Sequence, residues 1–289
     1  MVFHNVGIAA PGRDTWRAIK AVGPARHTRL MTSTGERASH LLALHTDPTL
    51  LTLVNVWDVA SARVVAQTEG TRALATASHA IASMYGYEDG ERIPLDLMLE
   101  AVGRVVNAVD LPVTADLEGG YGDAAETCRR AIGLGVVGAN IEDQMKPLPA
   151  AVASVEAVMR AAADEGVPDF VLNARTDAML RGGDRDPAKA LADAIERGRA
   201  FLDAGAPVVF VPGALVEHQV VALVEAFGPQ KLSMLPVPGA PSLQRLQELG
   251  VARVSFGPFP QRVALTALQE MAEGVVRGEG IPVGTRNLT

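Results

Sequence analysis

From about residue 50 onward, short apolar runs rich in β-branched residues alternate with stretches whose apolar positions recur at helical spacing. The runs are LLTLVN (50–55), ALAT (73–76), LPVTAD (111–116), VVGANIE (136–142), DFVLNAR (169–175), PVVFVP (207–212), KLSML (231–235) and VARVSF (251–256). Between the second and third, Leu95, Met98, Leu99, Val102, Val105, Val106 and Val109 fall on one face of a helix. Local signals agree with this alternation. Asp123 followed by Glu126 is a capping-box pattern, Asp186-Pro187 reads as an N-cap with Pro at the first helical position, and Gly166 closes a helix. Near-continuous apolar strands, each followed by a helix, predict a parallel sheet covered on both faces. Eight such units in roughly 250 residues predict an α/β fold of the (β/α)8 TIM-barrel type. The rival, an open doubly wound sheet, usually stops at about five to seven strands.

No low-complexity linker divides the chain, so the reading is one barrel domain over residues 38–289, preceded by a loosely ordered extension over residues 1–37. Residues 1–30 carry Arg13, Arg17, Lys20, Arg26 and Arg29 against Asp14, without the apolar segment of a signal peptide. They read as an arm, or as an upstream extension of a protein whose functional start is Met31, with a transit peptide as the alternative. At the other end, residues 258–277 present Val263, Leu265, Leu268, Met271 and Val275 as an apolar stripe.

Composition narrows the classes. With 48% hydrophobic residues there is ample material for a large core, and a formal charge of −7 gives no basic footprint for nucleic acid or anionic membranes. The apolar runs are short and broken by proline, so none reads as a membrane span. A single cysteine, Cys128, excludes an internal disulfide and fits a reducing, cytoplasmic setting.

Barrel enzymes work at the C-terminal ends of their strands. Those ends carry Asn55 and Asp58, Ser78 and His79, Asp116 and Glu118, Glu142 and Asp143, and Arg175 and Asp177. Asp116 and Glu118 share one face of a strand and then run into glycines in VTADLEGGYGD. Two anions so placed require a cation or a proton between them, which makes the stretch a metal site or an acid/base pair. Carboxylates from several strands beside Arg175 suit Mg²⁺, which keeps waters and leaves positions for substrate oxygens.

NVWDVASA (55–62), TADLEGGYG (114–122), NIEDQ (140–144) and NARTDA (173–178) resemble motifs of the isocitrate lyase/phosphoenolpyruvate mutase superfamily, over about residues 38–270. The resemblance implies that Asp116 ligates Mg²⁺ directly, while Glu118, Glu142 and Asp58 hold its waters. Asn55, Ser78 and Arg175 then bind substrate, with Ser78 and its neighbouring N–H groups around a carboxylate and Arg175 against the carboxylate and enolate oxygens. The implied chemistry is breakage of a carbon–carbon bond of a small 2-oxo or 2-hydroxy carboxylate through an enolpyruvate-like species. A carbon–phosphorus reaction and a non-catalytic carboxylate-binding barrel are the alternatives. The resemblance also implies a homo-oligomer, a dimer or tetramer, that exchanges its C-terminal helix.

The chain departs from that family in one loop. Its lyases place a Lys-Arg-Cys-Gly-His-like segment after EDQ, and that cysteine is the acid; here the text is EDQMKPLPAAV. Cys128 lies upstream, in the helix after strand 3, and reads as a buried apolar residue. Isocitrate-type cleavage by the usual acid is disfavoured, and proton donation falls to water or another side chain. His79 beside Ser78 is the candidate acid/base, with an outward-facing histidine as the alternative. Asp58 also reads as the N-cap of a helix beginning at Val59, and Asp143 and Asp177 as residues that orient neighbours or pair with arginines.

Overall fold

The computed structural model describes residues 33–180 and 185–288. In chain order the elements are α1 (Thr34–Thr46), β1 (Leu51–Leu53), β2 (Asn55–Val56), α2 (Val59–Ala66), β3 (Leu74–Thr76), α3 (Ser78–Met84), α4 (Leu95–Asn107), β4 (Val113–Asp116), α5 (Ala124–Gly133), β5 (Gly138–Glu142), α6 (Leu148–Asp164), β6 (Val171–Arg175), α7 (Pro187–Asp203), β7 (Val208–Phe210), α8 (Glu217–Phe227), β8 (Leu232–Met234), α9 (Leu243–Glu248), β9 (Arg253–Ser255) and α10 (Phe259–Val276). All strand pairs are parallel, in the order β1-β9-β8-β7-β6-β5-β4-β3-β2. β1 and β2 are one strand interrupted at Val54: β1 pairs with β9 through Leu51 and Arg253, and β2 pairs with β3 through Asn55 and Ala75. That shared strand closes the sheet into a barrel of eight positions.

Each of the eight apolar runs forms a strand, but the ladders are shorter than the runs. Residues 207–212, for example, supply only Val208–Phe210, because apolar side chains continue to be buried past the last inter-strand hydrogen bond. Asp123 accepts from the Glu126 N–H at 3.0 Å, Asp186 caps α7 with Pro187 following, and Gly166 lies just past α6 in the left-handed region at φ 75°.

The boundary predicted at residue 38 falls inside a helix. α1 begins at Thr34 behind a capping box in which the Glu36 N–H donates to Ser33 Oγ and the Ser33 N–H donates to the Glu36 carboxylate. The readings of residues 1–32 lie outside the described residues. α1 packs against the N-terminal ends of β5 and β6. A Cβ on Gly138 would stand 2.8 Å from the Val171 carbonyl oxygen and 3.0 Å from Leu41 Cδ2, so glycine admits the buried Leu41 there. His45, fully buried on the same helix, donates Nδ1–H to the Leu41 carbonyl at 2.8 Å. Burial and the nearby Arg253 lower its pKa to about 3, which keeps the ring neutral.

At the other end, α10 is tied to α3 by a hydrogen bond from Gln261 Nε2 to the Ala80 carbonyl at 2.9 Å. The face bearing Val263, Leu265, Leu268 and Val275 is exposed. Among the described residues no helix is long and apolar enough to cross a membrane.

Candidate active site

A cavity of about 470 Å³ opens at the C-terminal ends of the strands. Asn55, Ser78, His79, Asp116, Asn140 and Arg175 give it polar walls, and Leu180, Phe210, Pro212, Leu235 and Val237 an apolar one. Asn55, Asp116, Asn140, Arg175 and Phe210 come from strands, Ser78 and His79 from the first turn of α3, and Leu180, Pro212, Leu235 and Val237 from the loops beyond the strands.

Asp116 ends β4. Its Oδ2 accepts from the Ser78 N–H at 3.2 Å and from Ser78 Oγ at 2.8 Å, and its own N–H donates to Thr76 Oγ1 at 3.0 Å. Asp116 Oδ1 has no hydrogen-bond partner among the described residues. Ser78 is thus a donor to Asp116 here, while His79 beside it lines the cavity with Nδ1 buried and unpartnered. Asn55 is a brace: Nδ2 donates to the Thr76 carbonyl at 2.9 Å and Oδ1 accepts from the Phe256 N–H at 2.7 Å, joining β2, β3 and the end of β9.

The glycine run after Asp116 has a conformational cause. Glu118 (φ 54°), Gly120 (φ 89°), Tyr121 (φ 54°) and Gly122 (φ 88°) all lie in the left-handed region, and a Cβ on Gly119 would collide with the Gln144 side chain. This tight turn carries the buried Glu118 carboxylate toward Glu91, whose N–H donates to Oε2, and Tyr121, whose hydroxyl donates to Oε1 at 3.1 Å. Burial, reinforced by Asp116 and Asp89, raises the Glu118 pKa from 4.5 to about 7.

At the end of β6, Arg175 donates from Nη1 to Glu142 Oε2 at 2.9 Å and from Nε to Asp177 Oδ1 at 2.8 Å. Burial opposes its charge, but Glu142, Asp177 and Asp116 outweigh burial and hold its pKa above the ordinary value. Its guanidinium carbon lies 6.0 Å from the centre of the Phe210 ring. Asp143 faces away from the cavity and organises the following loop. Its Oδ2 pairs with Arg197 Nη1 at 3.1 Å, and its Oδ1 accepts from the N–H groups of Met145 and Asp177. Arg197 also donates to the Lys146 carbonyl at 3.0 Å, so the EDQMKP segment is a short loop pinned directly in front of α6.

Asp58 is not among the residues that line this cavity. Its carboxylate accepts from the Ser61 N–H at 2.7 Å as the N-cap of α2, and it lines a separate groove with Trp57, Met84, Tyr85 and Arg104. Among the described residues no three His, Cys, Asp or Glu side chains converge as a metal cage. Asp116 alone of the predicted ligands presents a free oxygen to the cavity, and this fits Mg²⁺, which commonly takes one or two carboxylates directly and keeps its waters. Cys128 is fully buried in α5, with its thiol pKa pushed up to about 12 by burial, so it belongs to the core.

Sequence reasoning missed three residues. Asn140 lines the cavity, Tyr121 holds Glu118, and Arg253 is completely buried within the barrel. Arg253 had a visible signal, a lone arginine within the apolar run VARVSF.

A parallel barrel with a carboxylate, an arginine and a serine gathered at its C-terminal mouth defines a small-molecule site of the barrel-enzyme class. Residues 41–276 match the family model described as phosphoenolpyruvate phosphomutase. The chain is 32% identical over 236 residues to 2-methylisocitrate lyase of Escherichia coli K12, covering 75% of this chain and 77% of that one. Its fold matches the crystal structure of a protein of Burkholderia cenocepacia J2315 described as a candidate phosphonomutase, with TM-score 0.77 and 39% identity over 82% of this chain and 99% of that one. It also matches oxaloacetate acetylhydrolase in complex with the product oxalate, with TM-score 0.76 and 26% identity over 87% and 91% of the two chains. The chain belongs to the phosphoenolpyruvate mutase/isocitrate lyase superfamily, whose members are lyases and mutases.

Proposed function

We propose that this protein is a Mg²⁺-dependent lyase or hydrolase that cleaves a carbon–carbon bond of a small 2-oxo or 2-hydroxy carboxylate through an enolpyruvate-like species. The observation that carries the reading is a shared cavity: Arg175, clamped by Glu142 and Asp177, lines it together with Asp116, whose Oδ1 is free. This pairing of a cation-binding carboxylate with a fixed guanidinium suits an anionic substrate with adjacent oxygens. The oxalate complex of oxaloacetate acetylhydrolase supports the substrate class by likeness.

In this proposal Asp116, with Glu118 and Glu142 behind it, would hold Mg²⁺. The ion, when bound, supplies Lewis-acid stabilisation of a developing oxyanion. Arg175 binds the substrate carboxylate and donates to the oxygen that gains charge as the bond breaks, a role suited to a planar, permanently charged fork. The electron pair of the broken bond passes to the enolate, which takes a proton from His79 or from water, while a 2-hydroxy substrate gives up its hydroxyl proton to solvent as that carbon becomes a carbonyl and a 2-oxo substrate adds water at its carbonyl carbon. The pinned loop after Asp143 brings no cysteine to the site, which favours substrates whose products take a proton from water or His79. The apolar wall from Phe210 to Val237 accommodates a short alkyl portion.

The 39% identity to the candidate phosphonomutase favours a second reading, reaction at a carbon–phosphorus bond. One experiment separates the two. The protein is incubated with Mg²⁺ and oxaloacetate, methylisocitrate, dimethylmalate or phosphonopyruvate while pyruvate, oxalate and phosphate release are followed. Turnover of a carbon substrate supports the proposal, phosphate release supports the second reading, and no turnover beside measurable oxalate binding leaves a binding protein.

A further inference from the structure

We infer that Asn140 is a substrate-binding residue of this site, with its side-chain N–H presented to a substrate oxygen and its orientation fixed from behind by Asn173 and Arg253. Asn140 stands on β5 in register with Asp116 of β4, is buried, and lines the cavity. Its Oδ1 accepts from Asn173 Nδ2 at 2.7 Å and lies 3.4 Å from Arg253 Nη2. β9 and β5 are not neighbours in the sheet, so the contact from Arg253 crosses the barrel interior.

An asparagine amide can ordinarily be turned over with little change in shape. Here the orientation is set by Arg253, because a guanidinium carries only donors and a flipped Asn140 amide would set N–H against its Nη2. The Asn140 oxygen therefore faces inward and its nitrogen faces the cavity, where it has no partner among the described residues. This N–H opens onto the cavity, where a substrate oxygen is the acceptor it suits. The positive charge behind the amide polarises it and strengthens that donor. Arg253 is fully buried, with Nε and Nη1 unpartnered, and it does not line the cavity. It acts through Asn140 as a positioning residue. The ligand chemistry that suits the arrangement is an acceptor-only oxygen, a carboxylate or enolate, adjacent to Asp116.

The inference rests on the proposed carboxylate substrate and adds to it one donor and the pair that aims it. The test is calorimetric titration of oxalate in Mg²⁺ into wild type, Asn140→Ala, Asn140→Ser, Arg253→Met and the double variant Asn140→Ala/Arg253→Met, with the melting temperature of each recorded. Loss of a hydrogen bond to a charged ligand group weakens oxalate about tenfold to a hundredfold in either Asn140 variant. Arg253→Met, which replaces a buried charge by an apolar chain of similar length, weakens oxalate on its own but adds nothing in the Asn140→Ala background. Oxalate affinity within about twofold of wild type in both Asn140 variants overturns the inference, as does full additivity of the double variant. These results leave the carboxylate reading standing. Wild type that takes up no oxalate removes both.

Discussion

Glu142 and Arg175 occupy paired positions on the adjacent strands β5 and β6, and their side chains meet at 2.9 Å. Asp177 takes the Nε side of the same guanidinium at 2.8 Å, so the fork is held from two directions before any substrate arrives. Preorganised donors of this kind act most on charge that develops in the transition state. Arg175→Lys keeps the charge and loses the fork. The turnover number is expected to fall about 10²- to 10³-fold, while the oxalate dissociation constant changes much less. Steady-state kinetics beside calorimetry decides it: an equal change in both would reduce Arg175 to a carboxylate clamp.

Asp116 is expected to be the residue through which a divalent cation stabilises the fold. Mg²⁺ with oxalate should raise the melting temperature of wild type by mass action, and Asp116→Ala should abolish the rise. A thermal scan with and without both additives measures this, and an undiminished shift in the variant would remove Asp116 as the ligand.

Glu118 makes stability depend on pH in a defined direction. Its pKa is raised from 4.5 to about 7 in the fold, chiefly by burial, so the folded chain holds this proton more tightly than the unfolded one. The contribution is fully present below about pH 4.5 and is lost as the pH rises to about 7. Melting temperatures across that window, taken in the presence of a chelator, should fall with pH in wild type more steeply than in Glu118→Gln. Parallel curves would show that the carboxyl ionises elsewhere.

Cys128 is expected to be chemically silent. Its side chain is inaccessible and its thiol pKa is pushed up to about 12, so it is neither a nucleophile nor an acid at neutral pH. Cys128→Ala should turn over whatever substrate is found at a near-normal rate, and the native protein should resist thiol reagents. A large loss of turnover in a folded variant would count against the pinned-loop account of the site.

The exposed apolar face of α10 is expected to be covered by another copy of the chain. Val263 is 70% exposed and Leu268 55%, an unusual density of apolar surface for one helix. Light scattering at micromolar concentration should find a dimer or tetramer, and Leu268→Glu should shift it toward the monomer. A monomeric wild type would end the proposal.

The sequence by itself determined the eight strand positions, the parallel barrel and the strand ends where polar chemistry collects. These follow from local regularities, the two-residue alternation of a strand and the clustering of apolar residues that a doubly covered sheet requires. The caps at Asp58, Asp123 and Asp186 were legible for the same reason, since each depends on residues a few positions apart. What no local pattern could state was the partner of each polar group. Asp58 read both as a helix cap and as part of a metal's water shell; the cap is local, whereas the groove it lines with Trp57 and Arg104 emerged only when α2 was set against its neighbours. Arg253 reaches Asn140 across 113 residues and through the middle of the barrel, and Arg197 reaches Asp143 across 54. The direction of the Asn140 amide depends on donors arriving from two other strands. Burial and Coulomb contacts that move pKa values, as at Glu118, likewise depend on which surfaces meet after the chain has closed on itself. Only the tertiary structure decides those.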